Sequence, residues 1–308
     1  MTKYVIGIDG GGSHSRLAAI DMNMKILGHA EGDSTNLAAF PYEIVLSNIQ
    51  RLLDEFCSGT CVDLQNCLSI CFGSAGASTG TNAKLLEKIF RNIGYTGKLS
   101  IMNDAELILL SETKGEPGAI IISGTGSVGY AVNKQGAAFR AGGWGHIIDD
   151  GGSGYRIGMD AIKAALMDFD RRGEKTLLTK MIIDFFDCSA PDELTGCIYG
   201  SEFNKAKIAE IAMLVKDAAK QGDTVAALIE RQAANDLSAL ARALINRAEL
   251  DTHKIVLSGS VILHNENIRS IFENEFRKDF PELQIVQACE KAEISAAYLA
   301  MKEALLNV

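Results

Sequence analysis

A chain of 308 residues can form one large domain or two of medium size, because single hydrophobic cores rarely grow beyond about 250 to 300 residues. Apolar residues make up 47% of the sequence and charged residues 22%, a balance that predicts folded domains and argues against disorder. The formal net charge of -9 repels nucleic-acid phosphates and anionic membrane surfaces, so we expect neither as a partner.

The chain begins with a strand pattern that leads directly into a glycine-rich turn. Apolar residues at 5–8 precede Asp9 and the run Gly10-Gly11-Gly12-Ser13, and a second strand pattern follows at 16–21. Because the first strand starts within a few residues of the N-terminus, we expect no signal peptide. The pattern predicts a hairpin whose turn is rich in exposed backbone N–H groups.

The same unit occurs again further along the chain. A strand pattern at 119–123 leads into the turn Gly124-Thr125-Gly126-Ser127, and a second strand pattern follows at 130–133. At one fixed offset, Gly10 superimposes on Gly124 and Ser13 on Ser127. The repeat predicts a protein built from two similar lobes.

Helical and strand patterns alternate around these hairpins. Apolar residues at helical spacing predict helices at 42–56, 82–93, 203–220, 225–248 and 294–306. Short apolar runs bounded by turn residues predict buried strands at 68–72, 99–102, 255–257 and 283–286. Such alternation predicts an α/β fold. We place the lobes at 1–116 and 117–290, with a C-terminal helix at 291–308 that packs back on the first lobe.

The cysteines favour free thiols. Their number, seven, is odd, which indicates a reducing compartment and predicts a cytoplasmic protein. Four of them, Cys57, Cys61, Cys67 and Cys71, lie within fifteen residues. Their spacing matches neither a zinc site with paired CxxC motifs nor a ferredoxin cluster. We therefore interpret them as small buried hydrophobic residues, with metal ligation as the alternative.

Glycine-rich turns suit phosphate binding in an acidic protein, because backbone N–H groups can converge on an anion where no Cβ blocks the approach. One turn could serve only to reverse the chain, but a matched turn in each lobe favours phosphate binding. The P-loop pattern GxxxxGK[ST] does not occur. Residues 124–129 satisfy GxGxxG, yet a strand pattern follows where a dinucleotide fold needs a helix, which leaves a nicotinamide site as a minor alternative.

Two aspartates follow predicted strands. Asp9 stands directly before the first turn, where a carboxylate beside a triphosphate needs a divalent cation between them, so we interpret it as a Mg²⁺ ligand. The alternative is an Asx-type turn residue. Asp104 follows the strand at 99–102, where it can accept a hydroxyl proton during phosphoryl transfer or serve as a helix N-cap. Asn103 and Glu106 are secondary candidates.

The stretch 141–154 contains the only tryptophan, a histidine, two adjacent acids and six glycines. A packed core element would not tolerate so much glycine, so we predict a loop whose backbone path matters. Trp144 is then either a core residue or a platform for a polar, sugar-sized ligand.

Taken together, these motifs resemble the BadF/BadG/BcrA/BcrD-type ATPases of the actin, Hsp70 and sugar-kinase superfamily, and in particular the N-acetylglucosamine and N-acetylmuramic acid kinases. The resemblance covers nearly the whole chain. Asp9–Ser13 is similar to the first phosphate motif of that family, Ser123–Ser127 to the second and Leu257–Val261 to the adenosine motif. Stretches similar to those that hold the amino sugar are Ser34-Thr35-Asn36, Asn103-Asp104-Ala105 and Gly142-Gly143-Trp144-Gly145-His146.

The resemblance implies two RNase H-like lobes of the actin-like ATPase fold, with ATP in the cleft between them and Mg²⁺ near Asp9. It implies that Asp104 is the base that activates O6 of an N-acetylated amino sugar in sugar salvage. The implied sugar-binding residues are Asn36, Ser127, Gly143, Trp144, Gly145 and Asp150. The implied nucleotide-binding residues are Gly10, Gly11, Gly12, Ser13, Gly124, Thr125, Gly126, Gly259 and Ser260. We also expect residues 214–223 to border the adenine, and the protein to be a homodimer.

The chain departs from the family pattern in two places. The family usually has Gly-Asp-Glu-Gly-Ser where this chain has Asp149-Asp150-Gly151-Gly152-Ser153, which shifts the acid that precedes glycine. The loop at 73–80 consists almost entirely of small residues, which suggests the hypothesis that it leaves space for the lactyl group of N-acetylmuramic acid.

Two alternatives come from other functional classes. An ATPase activator of a 2-hydroxyacyl-CoA dehydratase-type enzyme would hold an iron–sulfur cluster through cysteines in glycine-rich loops, but no cysteine lies in either turn or in 141–154. A non-catalytic sugar sensor would keep Asn36 and Trp144 and would need no base at Asp104.

Overall fold

The structure is a computed structural model that describes residues 2–11, 14–74, 77, 81–200, 204–250, 254–282, 284–288 and 291–305. Gly12 and Ser13 of the first turn lie outside these residues, as do most of the loop at 73–80 and the predicted element ends Phe203, Leu283 and Leu306. The chain divides into two compact units, one formed by Met1–Glu116 with Ala288–Val308 and the other by Pro117–Gln287.

The first unit contains a five-stranded mixed sheet with the order β3-β2-β1-β4-β5. Its strands are β1 (Tyr4–Gly10), β2 (His14–Asp21), β3 (Ile26–Asp33), β4 (Cys67–Ser74) and β5 (Lys98–Asn103). The first three form an antiparallel meander, whereas β4 pairs in parallel with β1 and β5 in parallel with β4. β1 is buried along almost its whole length, as its continuous apolar run predicts for a central strand.

The second unit repeats this arrangement in a sheet with the order β10-β9-β6-β7-β8. Its strands are β6 (Gly118–Ser123), β7 (Ser127–Val132), β8 (Ala138–Gly142), β9 (Lys254–Ser258) and β10 (Gln284–Gln287). Again the first three form an antiparallel meander, and β9 and β10 extend the sheet in parallel from β6. The two sheets therefore share one connectivity, which confirms the prediction of a duplicated α/β fold.

The two glycine-rich turns join antiparallel hairpins, as predicted. β1 pairs with β2 from Tyr4 opposite Asp21 to Gly10 opposite Ser15, and β6 pairs with β7 up to Ser123 opposite Ser127. The turn at 124–126 is thus followed by a strand, β7. A dinucleotide fold requires a helix at this point, so the structure does not support the nicotinamide alternative.

Eleven α-helices are found in the described residues. They are α1 (Tyr42–Thr60), α2 (Asn82–Asn92), α3 (Asp104–Glu112), α4 (Gly154–Phe169), α5 (Leu178–Phe186), α6 (Leu194–Tyr199), α7 (Lys205–Lys220), α8 (Thr224–Ala248), α9 (Ser260–His264), α10 (Glu266–Asp279) and α11 (Ala292–Leu305). The predictions for α1, α2, α7, α8 and α11 are confirmed to within a few residues. The sequence analysis did not identify α4, α5, α6, α9 or α10.

α11 packs on the first sheet at Gly7. A Cβ on Gly7 would lie 2.1 Å from the backbone nitrogen of Ala297 and 2.2 Å from the carbonyl oxygen of Glu293, so only glycine allows this approach of helix to strand. The buried cluster between them contains Val5, Ile20, Cys71, Leu107, Ala296, Ala297, Ala300 and Met301. The C-terminal helix is therefore part of the core that supports β1.

We expect Gly7→Ala to lower the stability of the first unit by about 1–3 kcal/mol or more, because the new methyl group would collide with helix backbone that cannot move independently. Gly59→Ala in α1 is a matched control, since a Cβ there meets nothing within 4 Å and alanine favours a helix by up to about 1 kcal/mol. Thermal denaturation of both variants tests this. Equal melting temperatures for the two would contradict the packing at Gly7.

The cysteines occupy different environments. Cys67 and Cys71 are buried in β4, and burial raises the pKa of Cys67 to about 12, as expected for small core residues. Cys61 is exposed, which corrects the interpretation of that residue. It follows the end of α1 in the left-handed conformation, with φ at 56°, and so leaves the apolar face of the helix.

Two further properties concern the described residues as a whole. Among them, no group of three His, Cys, Asp or Glu side chains converges closely enough to hold a metal ion directly. No helix of that part of the chain combines the length and the apolar character needed to cross a membrane.

Candidate functional site

In the first unit, two predicted aspartates lie at one edge of the sheet. The register pairs Gly10 of β1 with Ser74 of β4, and Ser74 with Asn103 of β5, so the three parallel strands end level with one another. Asp9 precedes the end of β1, and Asp104 follows the end of β5 as the first residue of α3. The carboxyl ends of parallel strands are the usual location of ligand sites in α/β sheets.

Asp104 is held by the start of its helix. The Ala105 N–H donates at 2.9 Å to Oδ1 of Asp104 and at 2.9 Å to Oδ1 of Asn103. Asn103 occupies the N-cap position, so the prediction that Asp104 could serve as the cap is wrong by one residue. Because Asn103 caps the helix, the Asp104 carboxylate is not required as the cap and is available for other chemistry.

Burial raises the pKa of both carboxyl groups, and neighbouring charge adds to the shift at Asp9. Burial raises the pKa of Asp104, although the Ala105 N–H partly opposes this. The pKa of Asp9 is raised to about 6, first by burial and then by the negative charges of Asp104 and Glu293, with Arg16 acting in the opposite direction. A raised carboxyl pKa next to other acids indicates negative charge that the protein alone does not balance.

The segment at 34–36 approaches the first turn. A Cβ on Gly10 would lie 2.5 Å from Oγ1 of Thr35, and the Ser34 hydroxyl donates to the Gly11 carbonyl at 3.2 Å. Asn36 is half-buried, and its Oδ1 accepts from the Ala38 N–H at 2.8 Å. The first unit thus brings together Asp9, Gly10, Gly11 and Asn36 at the end of β1, with Asp104 at the same sheet edge.

In the second unit, hydrogen bonds fasten the glycine turn to the loop at 150–155. The Ser123 and Ser127 hydroxyls each donate at 2.7 Å, to the carbonyls of Gly152 and Gly151 respectively. The Gly154 N–H donates to the Gly124 carbonyl at 2.8 Å. The turn is therefore rigidly positioned beside the start of α4.

An ion pair lies directly against this turn. Nζ of Lys205 is 3.1 Å from Oδ2 of Asp150, a residue that is buried and has φ at 66°. A Cβ on Gly126 would lie 3.1 Å from Oδ2 of Asp150 and 3.5 Å from Nζ of Lys205. The sequence analysis missed Lys205, because nothing local marks it except its place after the helix N-cap Asn204.

The glycine- and tryptophan-containing stretch is a loop, as predicted. Gly143 and Gly145 have φ at 68° and 94°, conformations that favour glycine. Trp144 is 64% exposed and is not a core residue; the Arg140 guanidinium lies 4.9 Å from the centre of its ring. A cavity of about 580 Å³ opens beside the loop. Its lining includes Ser127, Trp144, Asp149, Arg156 and Asp236.

A second cavity, of about 270 Å³, lies on the other side of the turn. Gly124, Thr125 and Ser260 contribute to its lining, and α7 contributes Ala206, Ala209, Met213 and Lys216. Only Lys216 belongs to the range 214–223 that was expected to border an adenine. The start of α7 supplies the rest, because Asp150 and the turn hold that end of the helix close. The small and apolar side chains of this wall leave a space suited to an aromatic base.

Gly259 fixes the position of Ser260 in this cavity. It has φ at 93°, and a Cβ would lie 2.4 Å from the carbonyl oxygen of Ser123. If this cavity holds the nucleotide that the sequence resemblance implies, Gly259→Ala should raise the KM for that nucleotide by about tenfold or more. Gly136→Ala is the control, since Gly136 also has a positive φ, at 75°, but nothing lies within 4 Å of its Cβ position. Steady-state kinetics should distinguish the Gly259 variant from the Gly136 control. An unchanged KM in the Gly259 variant would contradict this prediction.

The sequence profile of the BadF/BadG/BcrA/BcrD ATPase family matches residues 6–300. The chain belongs to this family. It is 38% identical to an N-acetylmuramic acid/N-acetylglucosamine kinase of Clostridium acetobutylicum over 98% of this chain and 99% of that protein. It is 28% identical to an N-acetyl-D-glucosamine kinase of Dictyostelium discoideum over 98% of this chain and 99% of the relative.

Solved structures give the same family context. A candidate N-acetylglucosamine kinase from Chromobacterium violaceum superimposes with a TM-score of 0.76 at 26% identity, covering 97% of this chain and 99% of that one. A ROK family glucokinase from Streptomyces griseus, at 18% identity and a TM-score of 0.59, shares the fold. The actin-like ATPase fold that the resemblance implied is confirmed.

The predicted site residues of this BadF/BadG/BcrA/BcrD-type ATPase fall into three groups. The first unit gathers Asp9, Gly10, Gly11, Asn36 and Asp104. The second unit gathers Ser127, Gly143, Trp144, Gly145 and Asp150 around the loop. Gly124, Thr125 and Ser260 line the smaller cavity, and Gly126 and Gly259 are their neighbours in sequence. Gly12 and Ser13 lie outside the described residues.

Proposed function

We propose that this protein is an ATP-dependent kinase that transfers the γ-phosphoryl group of ATP to O6 of an N-acetylated amino sugar, either N-acetylglucosamine or N-acetylmuramic acid. The two relatives matched over nearly their full lengths are named as kinases of these sugars. Membership of an ATPase family supports ATP as the phosphoryl donor. Salvage of amino sugars is the process in which such a kinase would act.

The half-buried Asp104, whose carboxyl pKa is raised by burial, carries this proposal. It lies at the carboxyl edge of the sheet, where burial raises its pKa and improves its ability to accept a proton near neutral pH. In the proposed reaction, Asp104 takes the proton of the sugar hydroxyl as the oxygen bonds to the γ-phosphorus and ADP leaves. A sugar sensor without catalysis would need no acid with a raised pKa at this position.

The residues of the second unit suit the nucleotide. We assign phosphate contacts to the backbone N–H groups of Thr125 and Gly126, because the Gly124 N–H donates to the Gly126 carbonyl at 2.9 Å and shapes the turn. Ser260 lines the same cavity as Gly124 and Thr125. Lys205 adds a positive charge beside Gly126, which would favour phosphate in a protein whose net charge is negative. In the first unit we assign the corresponding phosphate contacts to Gly10 and Gly11, with Gly12 and Ser13.

A divalent cation fits the first unit. Burial, and after it the charges of neighbouring acids, raises the pKa of Asp9 to about 6, and a bound cation would relieve the repulsion between these acids. We propose that Asp9 holds Mg²⁺, directly or through water. The ion would neutralise charge on the phosphoryl oxygens.

We assign the sugar to Asn36 and to the loop of the second unit. Trp144 offers an exposed ring suited to a sugar face, and Gly143 and Gly145 permit a loop conformation that other residues would strain. Ser127 and Asp150 supply polar groups, and Asp150 is oriented by Lys205. Asp150, the acid that is displaced relative to the family pattern, is therefore held in place by an ion pair with Lys205.

ADP release measured by a coupled assay tests the proposal. N-acetylglucosamine, N-acetylmuramic acid, glucosamine and glucose are compared at equal concentrations, with Mg²⁺ and without it. We expect rapid ADP release with at least one of the two N-acetylated sugars, and NMR of the product should place phosphate on O6. Failure of both sugars would refute the proposal, and activity with N-acetylglucosamine alone would remove the hypothesis that the loop at 73–80 admits a lactyl group.

The purified protein also allows the two alternative functions, a dehydratase activator and a sugar sensor, to be tested. An activator of a dehydratase would purify with iron and show the colour of an iron–sulfur cluster, whereas the proposed kinase is colourless. A sugar sensor would bind the sugar, as measured by calorimetry, without releasing ADP.

We propose a cytoplasmic location, which the free state of the six described cysteines supports. We also propose that the protein is a homodimer. Light scattering of the purified protein tests this, and a mass of 33.0 kDa would indicate a monomer.

A further inference from the structure

Glu293 is a buried carboxylate in the first unit for which neither the fold nor the sequence motifs supply a role. The residue is 3% exposed, and its Oε2 is buried without a hydrogen-bond partner among the described residues. An unpaired buried carboxylate oxygen is costly, so its retention suggests a partner that binds from outside the chain.

The direction of α11 brings this side chain towards the candidate site. Glu293 lies in the first turn of α11, and its carbonyl contacts the position of Gly7 in β1. At the other end of α11, Glu303 is bonded to Lys98 and Ser100 near the start of β5, a strand that runs parallel to β4 and hence to β1. The helix therefore runs antiparallel to β1. Because Cβ atoms tilt towards the N-terminus of a helix, Glu293 is directed towards the end of β1 that carries Asp9.

The positions of the other acids agree with this placement. The Glu293 carbonyl contacts the Cβ position of Gly7, two residues before Asp9, and Asp104 follows β5 at the same sheet edge, so the three acids lie at one end of the sheet. They do not converge as direct ligands of one ion in the described residues. Mg²⁺ usually keeps several of its waters in proteins, and carboxylates that accept hydrogen bonds from those waters contribute strongly to affinity.

We propose that Glu293 is a positioning residue for the divalent cation, with Oε2 accepting a hydrogen bond from a water molecule bound to the ion. This inference rests on the proposed kinase function, because the cation is required there for phosphoryl transfer. It assigns to α11 a role in the site besides its packing on β1.

Binding of Mn²⁺ tests the assignment without measuring activity. Free Mn²⁺ is quantified by electron paramagnetic resonance in the presence of protein and a non-hydrolysable ATP analogue. We expect Glu293→Gln to weaken Mn²⁺ binding by about tenfold or more, while its affinity for the analogue in EDTA stays unchanged. Glu303→Gln, the same change at a half-buried carboxylate at the other end of α11, where it pairs with Lys98, should bind Mn²⁺ like the wild type, within about twofold.

The possible outcomes distinguish the role of Glu293 from the proposed kinase function. Normal Mn²⁺ affinity in Glu293→Gln would overturn the role of Glu293, while sugar phosphorylation by the wild type would leave the proposed function intact. A wild type that binds neither Mn²⁺ nor the analogue and phosphorylates no sugar would overturn both. If Glu293→Gln does not fold, Glu293→Asp replaces it, since the shortened side chain should also weaken Mn²⁺ binding, and an affinity within about twofold of wild type would overturn the assignment.

Discussion

Replacement of Asp104 by Asn is expected to lower kcat for sugar phosphorylation by about 10²–10⁴-fold, the usual contribution of a general base. The amide has nearly the same shape and can still accept from the Ala105 N–H, but it cannot take up the hydroxyl proton. We therefore expect the KM for the sugar to change little. Initial-rate kinetics with the preferred sugar measure both constants.

Glu106→Gln provides the control for Asp104. It makes the same chemical change in the first turn of the same helix, and kcat should remain within about twofold of wild type. Because burial raises the pKa of Asp104, the acid limb of the kcat profile against pH should lie above the range of an exposed carboxyl group. A kcat within about tenfold of wild type in Asp104→Asn would assign the base to another residue.

Replacement of Asp9 by Asn should stabilise the metal-free protein and weaken the metal-bound one. The pKa of Asp9 is raised to about 6 in the folded state, above the value of 3.8 for an unperturbed group. The folded state therefore holds this proton more tightly than the unfolded state does, and ionisation of Asp9 reduces stability as pH rises from about 4 to about 6. Above that range the loss of stability caused by the ionised Asp9 is constant. Asn cannot ionise, so Asp9→Asn avoids this loss.

The expected effect can be measured as a difference in melting temperature. Asp9→Asn should melt about 4–8 °C above wild type at pH 8 in EDTA, from a penalty of roughly 2 kcal/mol, and the two should coincide below about pH 4. Addition of Mg²⁺ with a non-hydrolysable ATP analogue should reverse the order, because only the wild type retains the carboxylate that holds the ion. If the variant gains as much from Mg²⁺ as wild type does, Asp9 is not a metal ligand.

The local pattern of the sequence predicted the strands that carry the site. The hairpins at Asp9 and at Gly124 follow from apolar runs broken by glycine, and both sheets contain them as antiparallel pairs. Asp104 was identified for the same reason, because it follows a short apolar run that becomes β5. In each case the determining interactions lie within a few residues, and the sequence displays them directly.

The helices of the second unit were harder to predict. α4 begins in the glycine-rich loop, and its buried face includes Gly154 and Gly158, residues that favour a loop when read locally. A Cβ on Gly158 would lie 2.1 Å from the carbonyl oxygen of Ile208, so close packing against α7 explains this glycine in a helix. Tertiary contacts here override local propensity.

The sequence by itself determined the duplicated hairpins, the α/β class and the carboxylates that end the strands of the first unit. Only the tertiary structure showed that Lys205 lies beside Gly126, that Trp144 is exposed to solvent, and that Glu293 is directed towards the end of β1. Periodicity and turn chemistry act between neighbouring residues, and one sequence is enough to show them. A partner that is 55 positions away, such as Asp150 for Lys205, is chosen by the packing of whole elements and leaves no local signal.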